Sequence, residues 1–175
     1  MESKLRKIVF RGFNKRRGIW LYGNYILNRG AHFIAPQEFA NGKTWEDYEV
    51  VEESIGQFTG LTDKNGKEIY EGDIIAFYEL KTYCINPDCD PHLLGYSERL
   101  HKKIKAVRFE DGMFGVDSEY CPIDSFAYLG DWAADEDYME ELKNDPYFDA
   151  NGYDLDDVIG FEVIGNVFDN LDLLK

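Results

Sequence analysis

The chain has 175 residues, 44% of them hydrophobic and 15% aromatic, and a formal net charge of −15. A chain near ~150 residues buries about 70% of its unfolded surface, so a single domain with a real core is expected and extensive disorder is not. No apolar run reaches the ~18 residues of a membrane-spanning helix, and Met1–Arg11 breaks off after three apolar positions without a cleavage site, so no signal peptide is read there.

Cys84, Cys89 and Cys121 are too few, and odd in number, for a disulfide framework, which fits a reducing cytoplasm. Charge is unevenly placed: residues 1–29 hold eight Lys/Arg against Glu2 alone, and residues 131–157 hold eleven Asp/Glu against Lys143 alone. The two stretches are expected to attract each other across the fold or a subunit interface, with the surplus negative charge aiding solubility.

In chain order, Lys7–Phe13 predicts a first strand, Asn14–Gly18 a polar turn and Ile19–Leu27 a second strand. Asn28-Arg29-Gly30 turns the chain into Ala31–Ala35, stopped by Pro36, which together make a meander at hairpin spacing. Residues 36–48 read as a loop, and Tyr48–Ile55 alternates only in part. Asn65-Gly66 predicts a two-residue type I′ hairpin, because both residues tolerate positive φ. Glu71-Gly72-Asp73 is a second turn before the strand Ile74–Tyr78, so Asn65, Gly66, Gly72 and Asp73 are read as fold-specifying.

Residues 81–103 break the pattern with Asn86-Pro87, Asp90-Pro91 and Gly95 and read as a loop insertion. Order returns at Ile104–Phe109, with Ile104, Ala106 and Phe109 facing inward. It continues through the turn Glu110-Asp111-Gly112 to Met113–Val116. Residues 118–130 are irregular, with Phe126, Tyr128 and Leu129 as core contributors. One helix follows, capped by Asp131, striped by Trp132, Tyr138, Met139 and Leu142, and closed by Pro146. Val158–Phe168 is the final strand and Leu171–Leu174 an apolar tail.

The stretch Thr59–Ile75 resembles the signature of the YopX family, proteins of phages, prophages and other mobile elements. Lys7–Asn14, Ile19–Gly23, Ser54–Gly60 and Phe161–Asn170 agree with it in order, whereas Phe13 stands where Trp is usual, and 81–103 and 131–157 look like insertions. The resemblance implies a β-barrel fold, a mobile-element origin and self-association, but no activity and no catalytic residue. The expected fold is therefore mainly β: an antiparallel, partly open β-barrel, YopX-like with an SH3-like hairpin arrangement, plus one or two short helices. Residues 1–175 form one domain, with an N-terminal meander over 1–55, central hairpins over 56–130, an acidic helical insertion over 131–157 and a closing strand and tail over 158–175.

Cys84, Cys89 and His92, with His101 and Cys121 beyond, gather soft ligands, but the leading spacing departs from the C-x2-C pair usual in structural zinc sites, and inert surface cysteines are the plainer reading. Aligning Gly152 with an EF-hand glycine puts Tyr147 and Val158 at two of the strongest ligand positions, so Asp145–Asp157 is not read as a calcium loop. His32, His92 and His101 lack a nucleophile motif, and the glycines sit at turns, so no enzyme and no cofactor are expected. Arg11, Lys15, Arg16, Arg17, Trp20 and Tyr22 interleave charge and rings as nucleic-acid-binding surfaces do, against the opposition of the net charge. The expected function is non-catalytic binding, with self-association, in the cytoplasm and away from membranes. Nucleic-acid binding, or inhibition of a basic host protein by the acidic 131–157 segment, is the alternative.

Overall fold

The computed structural model describes residues 7–36, 42–84, 96–117, 124–125 and 135–175. Ten strands occur in it: β1 (Phe10–Asn14), β2 (Ile19–Asn28), β3 (Ala31–Ala35), β4 (Gly56–Thr62), β5 (Glu68–Tyr70), β6 (Asp73–Cys84), β7 (Tyr96–Glu110), β8 (Met113–Val116), β9 (Asp124–Ser125) and β10 (Glu162–Asn166). The helix α1 spans Glu136–Asn144, and short 3-10 turns lie at Trp45–Asp47, Glu52–Ser54, Leu155–Asp157 and Leu171–Leu174. The strands form two five-stranded antiparallel sheets, ordered β3-β2-β1-β4-β5 and β10-β6-β7-β8-β9. Among the described residues the sheets do not close into a barrel.

In the first sheet, β2 changes partner midway. Ile19–Gly23 pairs with β1 and Asn24–Asn28 with β3. A Cβ on Gly23 would lie 2.1 Å from the Ala35 carbonyl oxygen, so the changeover depends on glycine.

Arg29-Gly30 and Asp111-Gly112 each carry paired positive φ angles, the geometry of a type I′ hairpin turn. Asn65-Gly66 does not, which corrects the sequence reading: only Gly66 has positive φ. Gly66 N donates to Asp63 O, and Asp63 N to Lys67 O, closing a longer loop. The cause is the Asp63 carboxylate, whose Oδ1 accepts from Asn65 N and Lys67 N and so replaces the second positive-φ residue with a side-chain turn.

The second sheet is built on β6 and β7, which pair without interruption from Ile74↔Ala106 to Cys84↔Tyr96. Strand order therefore does not end at Tyr78 or resume at Ile104. It was hidden because pairs such as Lys81↔Arg99 and Thr82↔Glu98 are polar. The facing was also misread. Val107 is fully buried with Ile75 and Phe77, which puts Ile104 and Ala106 on the opposite face, while Phe109 is exposed near the strand end. A phase difference of one residue in a strand reverses every side chain.

The main core joins Ile69, Ile75, Phe77, Val107 and Val116, with Phe161 and Val163 packed against it. A second core lies toward the far end of the β6–β7 hairpin, where Phe148, Ala150, Tyr153 and Leu155 cover Leu100 and Val158. The acidic segment is thus stitched to the sheet: Asp149 N donates to Glu98 O, Leu100 N donates to Asp149 O, and Arg99 pairs with Asp149 at 2.8 Å.

Helix α1 begins at Asp135, whose carboxylate accepts from Tyr138 N, and not at Asp131. Met139 and Leu142 are buried as expected, and the helix stops before Pro146. Trp132 and Asp131, like Phe126, Tyr128 and Leu129, lie outside the described residues.

Candidate binding cleft between the sheets

Arg11 lies in β1, opposite Tyr22 of β2 on one side and Gly56 of β4 on the other. A guanidinium on this buried row requires a counter-charge. Asp73 supplies it: Arg11 Nη1 donates to Asp73 Oδ1 at 2.5 Å, and Nη2 donates to the Glu71 carbonyl at 3.1 Å. The other Asp73 oxygen accepts from Tyr70 N at 2.8 Å, bracing the turn between β5 and β6. Burial pushes the Asp73 carboxyl up, against the pull of Arg11 and of the Tyr70 amide.

That turn is the tie between the sheets. Gly72, at φ +79, donates its N–H to Val107 O in β7 and accepts from Val167 N just beyond β10. One two-residue turn thus holds β1, β7 and the end of β10 together.

Rings surround the guanidinium. Its centre lies 5.0 Å from the Trp20 ring and 5.2 Å from the Tyr70 ring, both within cation–π range. Trp20 meets Phe168 edge-on at 5.9 Å, and Phe13 touches both. Trp20 Nε1 donates to Asp169 at 3.2 Å, fixing the indole. Burial, and then the hydrogen bond to Glu68, push the Tyr70 hydroxyl up, so it remains a donor.

Two cavities open beside this column. One of about 400 Å³ is lined by Arg11, Trp20, Glu53, Glu71, Arg108 and Phe168 among others. The other, of about 260 Å³, is lined by Arg11, Trp20, Tyr22, Asp73 and Asn166 among others. Burial pushes the Glu71 carboxyl up.

The six nucleic-acid-binding candidates separate. Arg11 is a correction: it is buried and engaged with Asp73, because a basic residue inside a strand faces whichever side the pleat dictates. Lys15, Arg16 and Arg17 sit on the exposed β1–β2 turn, where Arg16 pairs with Asp47 and, at 3.6 Å, with Glu46. Trp20 is half-buried, and Tyr22 is 55% exposed beside Tyr70. The N-terminal cations Lys7, Arg11 and Arg16 thus pair with Glu68, Asp73, Glu46 and Asp47, none of them in the 131–157 segment.

Of the metal candidates, Cys84 is exposed at the end of β6, while Cys89, His92 and Cys121 lie outside the described residues. His101 Nε2 is engaged with the Tyr83 hydroxyl at 2.7 Å, and no cluster of three metal-ligating residues occurs among the described residues.

Glu71, Asn166 and Phe168 were missed by sequence reasoning. Asn166 Oδ1 accepts from Phe168 N and Asp169 N, an Asn-initiated turn legible in Asn166-Val-Phe-Asp169.

The molecule is a two-sheet antiparallel β protein with a charged, ring-lined cleft at its seam. The family model described as YopX protein matches residues 9–175, and the chain belongs to the YopX family. A search of curated proteins gives no match. Among solved structures the chain is similar to protein EF1440 from Enterococcus faecalis, at 20% identity over 98% of this chain and 100% of that one, with a TM-score of 0.44.

Proposed function

We propose that this member of the family is a non-catalytic protein that acts by binding and self-associates. The observation that carries the reading is the apolar surface at the β7–β8 hairpin. Phe109 is 49% exposed, and its ring packs tilted, at 4.8 Å, against that of Phe114, its cross-strand partner. Such patches on soluble proteins mark interaction sites. Sedimentation velocity over a concentration series tests it: a concentration-dependent dimer or larger species is expected, and a strict monomer overturns it.

Within this reading the sheets act as a partly open barrel with an SH3-like hairpin arrangement. The partner exchange of β2 at Gly23 supports it, as does a β1–β4 seam of only two residue pairs, Phe10↔Gln57 and Arg11↔Gly56. A mobile-element origin and a cytoplasmic site of action complete the proposal.

A second reading uses the acidic helix. Glu136, Asp137, Glu140 and Glu141 are exposed on α1 while Met139 and Leu142 are buried, so the carboxylates face solvent as a charged surface for a basic host protein. Binding to nucleic acid is left with Lys15, Arg17 and Tyr22 once Arg11 and Arg16 are engaged with carboxylates. A gel shift with single-stranded DNA that disappears in moderate salt would revive it.

A further inference from the structure

The two cavities beside the Arg11 column share Arg11, Trp20 and Asn166, so they adjoin along the seam of the sheets, and the larger is a groove edged by Glu53 and Glu71. We propose that this groove binds an extended, positively charged segment of a partner polypeptide, seating a Lys or Arg side chain against Glu53 and Glu71. The proposal rests on the reading that the protein acts by binding, and it gives that reading an address.

Two independent features define the occupant. Both lie beside the Arg11 side chain, which is only 8% exposed and has Nη1 and Nη2 engaged with Asp73 and the Glu71 carbonyl.

The first is the balance of charge. Arg11 is neutralised by Asp73, and Arg108 pairs with Asp117 at 2.5 Å. Glu53 and Glu71 line the same cavity with no ion pair among the described residues. The larger cavity therefore presents surplus carboxylate, with Lys67 lining the smaller one, on a chain whose net charge is −15. A cation is drawn in and a phosphate backbone is repelled.

The second is the wall. Trp20 and Phe168 meet edge-on at 85° and flank the cavity, an apolar surface for the stem of a long side chain and a π-face for its charge. About 400 Å³ accommodates a side chain with its adjoining backbone.

The test is nitrogen-15 NMR on the full chain, titrated separately with three ligands. These are a short acetylated peptide carrying arginines in a proline–glycine background, the same peptide with glutamates, and a short oligothymidylate. The arginine peptide should shift the Arg11 Nε–H and Trp20 Nε1–H resonances saturably, and the other two should not. Glu53→Gln and Glu71→Gln should each weaken the arginine peptide about fivefold, with far-ultraviolet circular dichroism unchanged. Three results overturn the inference: no shift with the arginine peptide, equal shifts with the glutamate peptide or the oligonucleotide, or variants that bind as wild type does. Sedimentation of the same samples keeps the two claims apart. A self-associating protein that ignores the peptide refutes the groove alone, and a monomer that binds it refutes self-association alone.

Discussion

Arg11 and Asp73, 62 positions apart in the chain, meet at 2.5 Å with side chains only 8% and 2% exposed. The pair costs desolvation on both sides, so its net worth is small. Its disruption is not, because removing one partner strands the other. Arg11→Met or Asp73→Leu alone should therefore destabilise the fold by about 3–5 kcal/mol, and the double variant should recover most of the loss. Urea unfolding of the four proteins gives the cycle, and single variants within about 0.5 kcal/mol of wild type would refute the role assigned to the pair.

Asp63 makes stability depend on pH. Burial pushes its carboxyl up, but the backbone amides of Val163, Lys67 and Asn65 outweigh it and hold the group below its ordinary 3.8. A depressed folded value means stability is fully present above 3.8 and is lost as pH falls through the folded value. Asp63→Asn should cost about 1–3 kcal/mol at neutral pH. The difference between wild type and variant should shrink on acidification, which denaturant melts from neutral to strongly acid pH will show. A difference that does not change with pH would refute the assignment.

Gly23 and Gly18 offer a matched contrast. Gly23→Ala would press a methyl group against the Ala35 carbonyl at 2.1 Å, where the obstacle is backbone and cannot rotate away, so a loss of roughly 2–3 kcal/mol is expected. Gly18→Ala meets open space and suffers only from its φ of +65, about 1–2 kcal/mol. Equal thermal melts for the two would contradict the packing of β2 on β3.

Leu100 anchors the second core under Phe148, Tyr153 and Leu155. Leu100→Ala should cost about 2–5 kcal/mol and expose the 145–158 segment to limited proteolysis before the main core opens. Cleavage that starts elsewhere would show that the segment is not held by this contact.

Phe109→Asp should abolish self-association while leaving the unfolding midpoint nearly unchanged, because the side chain is already 49% exposed. Sedimentation reads the first effect and a thermal melt the second. An associated species that survives the substitution would move the interface elsewhere.

Much of the fold was legible where information is local. Ala31–Ala35 and Met113–Val116 occur with the bounds expected, the turns at Arg29-Gly30 and Asp111-Gly112 carry positive φ, and α1 ends before Pro146. The Asn65-Gly66 turn failed because Asp63, two residues upstream, competes for the same amides. The family signature over Thr59–Ile75 was visible as a string of residues, yet the string does not say that Asp73 faces Arg11.

Sequence alone determined the mainly antiparallel β class and local features such as the Arg29-Gly30 and Asp111-Gly112 turns, because steric preference and alternation act over a few residues. Tertiary structure decided which cations stay available: Arg11 went inward to Asp73, and Arg16 went to Asp47. It also made a groove from residues of β1, β2, the Glu71-Gly72 turn and the end of β10. Charge pairing and cavities depend on distances between chain segments, and those distances exist only once the two sheets have met.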